Sequence, residues 1–228
     1  MLCALGLRLD KNLAPAENRW MTSVAIIDYG RGNVRSVFNA LDYIGVAATI
    51  TDDPAVINDA SHIFLPGVGA CGDAVAALNA RGLPEILHRQ VFEKGKPFLG
   101  VCVGMQVLAA KSFEHGTHDG LGWLDAEVHR LDPGPDGLKI PHMGWNSLTP
   151  SRAHPVFDGI KTEDLVFYFV HSFAVTPSDP DKVLTTSDYG KPFVSALAWD
   201  NVITTQFHPE KSHDSGLEVL TNFARWVP

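Results

Sequence analysis

Cys102 sits between Gly100-Val101 and Val103-Gly104, at the point where a short apolar run gives way to a helical pattern. A cysteine on such a strand-to-helix turn is held in a strained conformation with its sulfur pushed out above the sheet, because the flanking glycines let the backbone turn without Cβ clashes. A helix N-terminus beside it favours negative charge, which suits a thiolate nucleophile and an anionic intermediate. By itself the pentapeptide is more often an inert packing cysteine, so its partners must decide. A thiol nucleophile needs a base, and the base needs a group to hold its ring. His208-Pro209-Glu210 supplies both. Pro209 drives His208 toward extended geometry, so residues 208 and 210 project to one side. Glu210 then fixes the tautomer of His208, and the other ring nitrogen serves Cys102; alone, the tripeptide is equally a solvated surface loop. An oxyanion hole completes the set. Pro66-Gly67-Val68-Gly69 follows another strand, and its glycines allow close backbone approach and a peptide flip, so the N–H groups of Val68 and Val103 are the candidates. Alone, that segment is an ordinary Gly/Pro loop.

The elements that must position these groups follow a repeating order. Residues 24–28 form a continuous apolar run ended by glycines, the pattern of a buried strand, and a helix follows with Val34, Val37, Phe38, Leu41 and Ile44 on one face. Asn33 is placed to cap that helix and Gly45 to supply its left-handed end. Strands at 47–51, 62–65 and 97–101 alternate with a short helix begun by Asp53-Pro54, helices over 73–78 and 85–93, and a helix from Val103. This is the order of an α/β fold with a mostly parallel central sheet and helices on both faces. All three candidate segments lie at strand ends, where open α/β sheets place their ligands. After Gly122, strand-like runs at 126–130, 165–170, 183–186, 194–199 and 202–207 arrive with few helices between them, which predicts an antiparallel or mixed extension. An amphipathic helix carrying Leu217, Leu220, Phe223 and Trp226 closes the chain. One domain over residues 22–228 is expected. Residues 1–21 form an N-terminal extension, read as disordered, that lacks the basic leading region of a signal peptide.

Composition narrows the function. The net charge of −8 and the absence of a basic run argue against a nucleic-acid surface. Three cysteines without a CxxC pair argue against disulfides or structural zinc and fit a reducing cytoplasm. No apolar run is long enough to span a bilayer. Gly30-Arg31-Gly32 resembles the start of a dinucleotide fingerprint with Asp52 or Asp53 downstream, but Arg35 stands where a small residue is needed. His115, His118 and Asp119 are spaced like metal ligands, yet the surrounding glycines and threonine read as a polar loop. Neither a cofactor nor a metal is expected.

Residues 100–106 and 206–210 together resemble the nucleophile turn and base segment of the class I glutamine amidotransferases, a flavodoxin-like architecture. Within that class, residues 28–33, 65–69, 141–146 and 169–173 resemble the glutaminase subunits of imidazole glycerol phosphate synthase, and the resemblance runs from Val24 to the C-terminus. It implies that L-glutamine is cleaved to glutamate through a γ-glutamyl thioester on Cys102, with Gly69, Gln106, His171, Ser172 and Phe173 around the bound substrate. Tyr29, Gly32, Asn33, His142, Met143, Trp145 and Asn146 would face a heterodimeric partner, a (β/α)8-barrel cyclase that uses the ammonia in histidine biosynthesis. Two positions depart from the family pattern: Val103 where leucine is usual and Phe173 where tyrosine is usual. The pyridoxal phosphate synthase glutaminase shares the chemical segments, and a non-catalytic regulatory subunit on the same fold is the alternative of a different class. Free ammonia becomes ammonium in neutral water, a poor nucleophile, and no phosphate-binding loop marks a synthase site here, so the acceptor must lie on another chain.

Overall fold

Strand and helix alternate through the first half of the chain, in a computed structural model that describes residues 22–135 and 137–228. The extension expected over residues 1–21 lies outside the described residues. β1 (Ser23–Ile27), β2 (Ala47–Thr51), β3 (His62–Gly67) and β4 (Phe98–Cys102) are linked through α1 (Val34–Tyr43), α2 (Pro54–Asp59), α3 (Cys71–Ala80) and α4 (Leu83–His88). Every residue of β3 and β4 is buried, which is why both read as unbroken apolar runs. Asp53 caps α2 by accepting a hydrogen bond from the Ala55 amide, and Gly45 closes α1 at φ +77°. Asn33 occupies the corresponding position before α1 but makes no side-chain cap, because its backbone (φ −82°, ψ 56°) is outside the extended range that aims a capping oxygen at the first turn. The helix expected over 85–93 is α4 followed by a π-helical turn, Arg89–Glu93.

The helix expected from Val103 is a single turn, α5 (Val103–Gln106). The chain then enters strands: β5 (Ala109–Ser112), β6 (His118–Asp119), β7 (Leu124–Arg130), β8 (His142–Ser147), β9 (Thr149–Pro150), β10 (Val166–His171), β11 (Phe173–Pro177), β12 (Val183–Tyr189), β13 (Lys191–Trp199) and β14 (Val202–Thr205). The main sheet has the order β2-β1-β3-β4-β14-β13-β12-β9. Its first five strands are mutually parallel and the rest join antiparallel, the α/β architecture with a mixed extension that the sequence predicts. The step from β1 to β2 runs opposite to the steps from β2 to β3 and β3 to β4. Right-handed crossovers therefore put α1 on one face and α2, α3 and α4 on the other. The last helix, α6 (His213–Arg225), packs beside α1 and buries Val219, Leu220 and Phe223. The described strands also form two smaller sheets, β8 with β10 and β11-β7-β5-β6, which pack near the main sheet through β8 beside β12 and β11 beside β13.

Register positions the chemistry. β4 lies between β3 and β14, with Gly67 opposite Cys102 on one side and Thr205 opposite Val101 on the other. The segment at 66–69, the cysteine and the segment at 206–210 therefore leave neighbouring strands at the same sheet end.

Candidate active site

Cys102 has φ +55° and ψ −111°, a conformation that side-chain-bearing residues rarely adopt. The turn survives because its neighbours leave no room for another path: a Cβ at Gly104 would overlap the Leu65 carbonyl, and one at Gly100 would lie 2.6 Å from the carbonyl oxygen of Gly104. The cysteine is 5% exposed, and its sulfur lies 3.9 Å from the Val170 carbonyl oxygen and 3.6 Å from Nε2 of Gln206. Since α5 is one turn long, it brings no extended helix dipole to the sulfur. Cys71 is a different kind of thiol, because burial pushes it up to about 11.

His208 leaves β14 in extended geometry (φ −103°, ψ 96°), as the following proline requires, and its amide is tied to the Tyr168 carbonyl at 2.9 Å. Residues 209–211 then form a 3-10 turn rather than continuing extended, and that turn brings Glu210 back to the ring. Nδ1 of His208 and Oε1 of Glu210 are 2.8 Å apart, both side chains being buried. With Nδ1 committed to the carboxylate, Nε2 is left without a directed hydrogen bond among the described residues. Burial disfavours the imidazolium, but Cys102 and Glu210 beside it outweigh that cost and raise His208 to about 10.

The segment 66–69 is held from behind by residues 29–32. The buried Tyr29 hydroxyl donates to the Pro66 carbonyl at 2.9 Å, and the Val68 amide donates to the Arg31 carbonyl at 3.3 Å. Burial first, then the proximity of Cys102 and Cys71, raises Tyr29 above its ordinary range, so it stays a donor. The Val68 N–H is thus engaged away from Cys102.

A cavity of about 380 Å³ opens over the sulfur. It is lined by Val68, Gly69, Cys102, Val103, Gln106, His171, Ser172, Phe173 and His208, so the structure brings together the residues singled out for chemistry and for substrate, Glu210 standing behind His208. Gln106 is buried in its wall, with Nε2 donating to the Phe173 carbonyl at 3.0 Å and to Oε1 of Gln206 at 3.2 Å. His171 is bonded through Nδ1 to the Phe173 carbonyl at 2.9 Å and through Nε2 to Nδ1 of His142 at 3.0 Å. Because a carbonyl only accepts, His171 carries its proton on Nδ1, and His142 donates from its own Nδ1. Nε2 of His142 then accepts from Asn146 at 3.3 Å. Burial lowers His171 to about 3 and His142 to about 4, so both rings are neutral.

Two residues of the expected partner-facing set lie inside the fold. His142 is only 3% exposed, enclosed by Phe169, Tyr189 and Phe193, because it faces inward from the β8–β10 pair. Tyr29 is likewise buried, held in place by its bond to Pro66. Gly32, Asn33 and Asn146 are half-buried, whereas Met143 and Trp145 are 62% and 48% exposed. Two residues of the site escaped the sequence reading. Glu114 lines the cavity, with Oε2 accepting from the Cys71 amide at 2.8 Å, and no local pattern announces it. Gln206 could have been found, since a residue two before His208 on an extended segment shares its side.

Comparison with known proteins agrees with this geometry. The family described as "Glutamine amidotransferase class-I" matches residues 25–226. The chain is 52% identical to imidazole glycerol phosphate synthase subunit HisH 2 of Nitrobacter winogradskyi, over 91% of this chain and 100% of that one. It is 49% identical to subunit HisH of the same synthase from Aquifex aeolicus, over 88% and 95% of the two chains. Among solved structures, PurLQS from Thermotoga maritima superposes with a TM-score of 0.70 at 21% identity, covering 90% of this chain and 98% of that one, a likeness of fold. The chain belongs to the class-I glutamine amidotransferase family and, within it, to the HisH subunits of imidazole glycerol phosphate synthase.

Proposed function

We propose that the chain hydrolyses glutamine at Cys102 and hands the ammonia to a (β/α)8-barrel cyclase subunit, which makes imidazole glycerol phosphate and aminoimidazole carboxamide ribotide in histidine biosynthesis. The observation that carries this reading is the meeting of a strained cysteine and a Glu210-anchored His208 at one cavity. No helix among the described residues is long and apolar enough to cross a membrane, and we assign the chain to the cytoplasm with its biosynthetic relatives.

The thiol proton passes from Cys102 to Nε2 of His208, and the thiolate attacks the side-chain carbonyl carbon of glutamine. The carbonyl oxygen becomes an oxyanion, with the Val103 amide as one donor and the Val68 amide as the other once it leaves Arg31. The C–N bond breaks as His208 returns its proton to the departing ammonia, leaving a γ-glutamyl thioester. Water then gives a proton to His208 and attacks the thioester, and glutamate leaves as the sulfur recovers its charge. Glu210 orients the imidazole and stabilises its cationic form. The Glu114 carboxylate is the counter-charge for the substrate's α-ammonium group, while Gly69, Gln106, His171, Ser172 and Phe173 shape the pocket.

The bond between Val68 and Arg31 supports a resting state with an incomplete oxyanion hole. Met143 and Trp145, both exposed and carried on the strand that holds His142, suit a partner contact that reaches the site. Glutamate release by this chain alone, with the cyclase subunit, and with the cyclase and its formimino ligand tests the reading. Release should be low, then higher, then highest; full activity in the isolated chain would remove the coupling, and none under any condition would remove the glutaminase assignment.

A further inference from the structure

We propose that Gln206 is a further catalytic residue, whose side-chain amide donates a hydrogen bond to the sulfur of Cys102 and stabilises it as a thiolate; this rests on the reading of Cys102 as the nucleophile. Gln206 is fully buried, with its backbone amide fixed to the Ser195 carbonyl at 2.8 Å. Its Nε2 lies 3.6 Å from the sulfur, within reach for a donor to sulfur.

The network settles which end of the carboxamide faces Cys102. Gln106 Nε2 has two hydrogens, and the Phe173 carbonyl, which can only accept, takes one of them at 3.0 Å. The second points to Gln206 at 3.2 Å, so that side must present the oxygen, Oε1. The NH2 group is then the one that meets the sulfur. Reversing Gln206 would set NH2 against NH2 on one side and carbonyl oxygen against thiolate on the other, losing two bonds at once.

The polar groups around the sulfur divide by charge state. The Val170 carbonyl, 3.9 Å away, can accept from a thiol but repels a thiolate, whereas the Gln206 amide bonds a thiolate more strongly than a thiol. A thioester sulfur is a poor acceptor, so the contact strengthens at the two moments when sulfur holds charge: after its proton moves to His208, and when it leaves the γ-glutamyl carbon. The relay from Phe173 through Gln106 to Gln206 also ties the substrate wall to the nucleophile, independently of the Val68 amide.

The test is the rate of Cys102 alkylation by iodoacetamide against pH, in the intact chain and in Gln206→Met, which keeps the volume and loses the donor. The variant should react about tenfold more slowly at neutral pH, with its profile displaced to higher pH, the scale of one hydrogen bond to a charged group. A folded variant that reacts like the parent at every pH would overturn the assignment, since a packing role moves Tm and not the profile. Should Gln206→Met fail to fold, NMR of the unsubstituted chain decides. The Gln206 side-chain amide signals should shift as Cys102 ionises and stay still in Cys102→Ala, and no shift in the parent would overturn the proposal. Glutamate release by the parent with its partner checks the nucleophile reading separately, because alkylation needs neither glutamine nor turnover.

Discussion

The backbone amide of Val68 donates a 3.3 Å hydrogen bond to the carbonyl oxygen of Arg31. In the proposed mechanism Val68 supplies one donor of the oxyanion hole, so this bond to the segment that follows β1 would have to break on activation. The Tyr29 hydroxyl holds the neighbouring Pro66 carbonyl at 2.9 Å, so the two bonds act on adjoining peptides of one loop. In Tyr29→Phe the Pro66 carbonyl loses its donor, which should cost about 1–2 kcal/mol of stability. A looser loop should raise glutamate release by the isolated chain and shrink the stimulation given by the cyclase. Paired melting curves and glutaminase assays check both effects, and unchanged basal turnover in a destabilised variant would separate the loop from activation.

The strained backbone at Cys102 makes a stability prediction opposite in sign to its catalytic one. Cys102→Ala and Cys102→Gly should each reduce glutamate release by at least about 10⁴-fold, as loss of a nucleophile does. At φ +55° glycine is relaxed where alanine is strained, so Cys102→Gly should be the more stable of the two by about 1 kcal/mol. For a domain of this size that corresponds to about 2–4 °C in Tm, read by calorimetry.

Histidines of opposite character predict a stability curve that falls on both sides. His208 rises from the ordinary 6.5 to about 10 in the fold; its contribution is complete below 6.5 and is lost as pH climbs through about 10. His142 and His171 fall from 6.5 to about 4 and about 3, so their contribution is complete above 6.5 and is lost as pH drops toward those values. Tm measured from pH 4 to 10 should therefore peak between the two windows. Glu210→Gln should flatten the alkaline limb, since it removes one of the charges that raise His208, and His142→Gln should flatten the acid limb.

Glu114 lines the cavity and, in the proposed mechanism, binds the substrate without taking part in bond making. Glu114→Gln should raise KM for glutamine about tenfold and leave kcat within a few-fold, the pattern of lost uniform binding. A fall in kcat with KM unchanged would move Glu114 out of the substrate role. Steady-state kinetics with the cyclase present makes the distinction.

Trp145 stacks on His213 with ring centroids 4.8 Å apart and still leaves nearly half its surface exposed. Trp145→Ala should weaken cyclase binding by about 2 kcal/mol, as for an aromatic anchor at an interface, with little change in Tm of the isolated chain. Titration calorimetry against the cyclase reads the first quantity and a melting curve the second.

Sequence by itself determined the parallel half of the fold. β1, β3 and β4 are buried on both faces, so their apolar runs are unbroken, and Asp53 and Gly45 mark helix ends through their own chemistry. It also singled out Cys102, His208 and Glu210 as candidates, through the coincidence of three segments at strand ends rather than through any one of them alone. The later half was harder to read. β5 falls where the helix expected from Val103 would have continued, β8 carries Gly144 at φ +137°, and a single residue separates β10 from β11; β8 and β11 exist through partners about 20 residues or more away in the chain rather than through local preference. Tertiary structure alone decided that β14 enters beside β4, and hence that His208 and Gln206 meet Cys102. It alone turned His142 and Tyr29 inward and set the Val68 amide against Arg31. The reason is physical: propensity and periodicity describe a segment, whereas the direction of a side chain or an amide is fixed by the strand or loop packed against it.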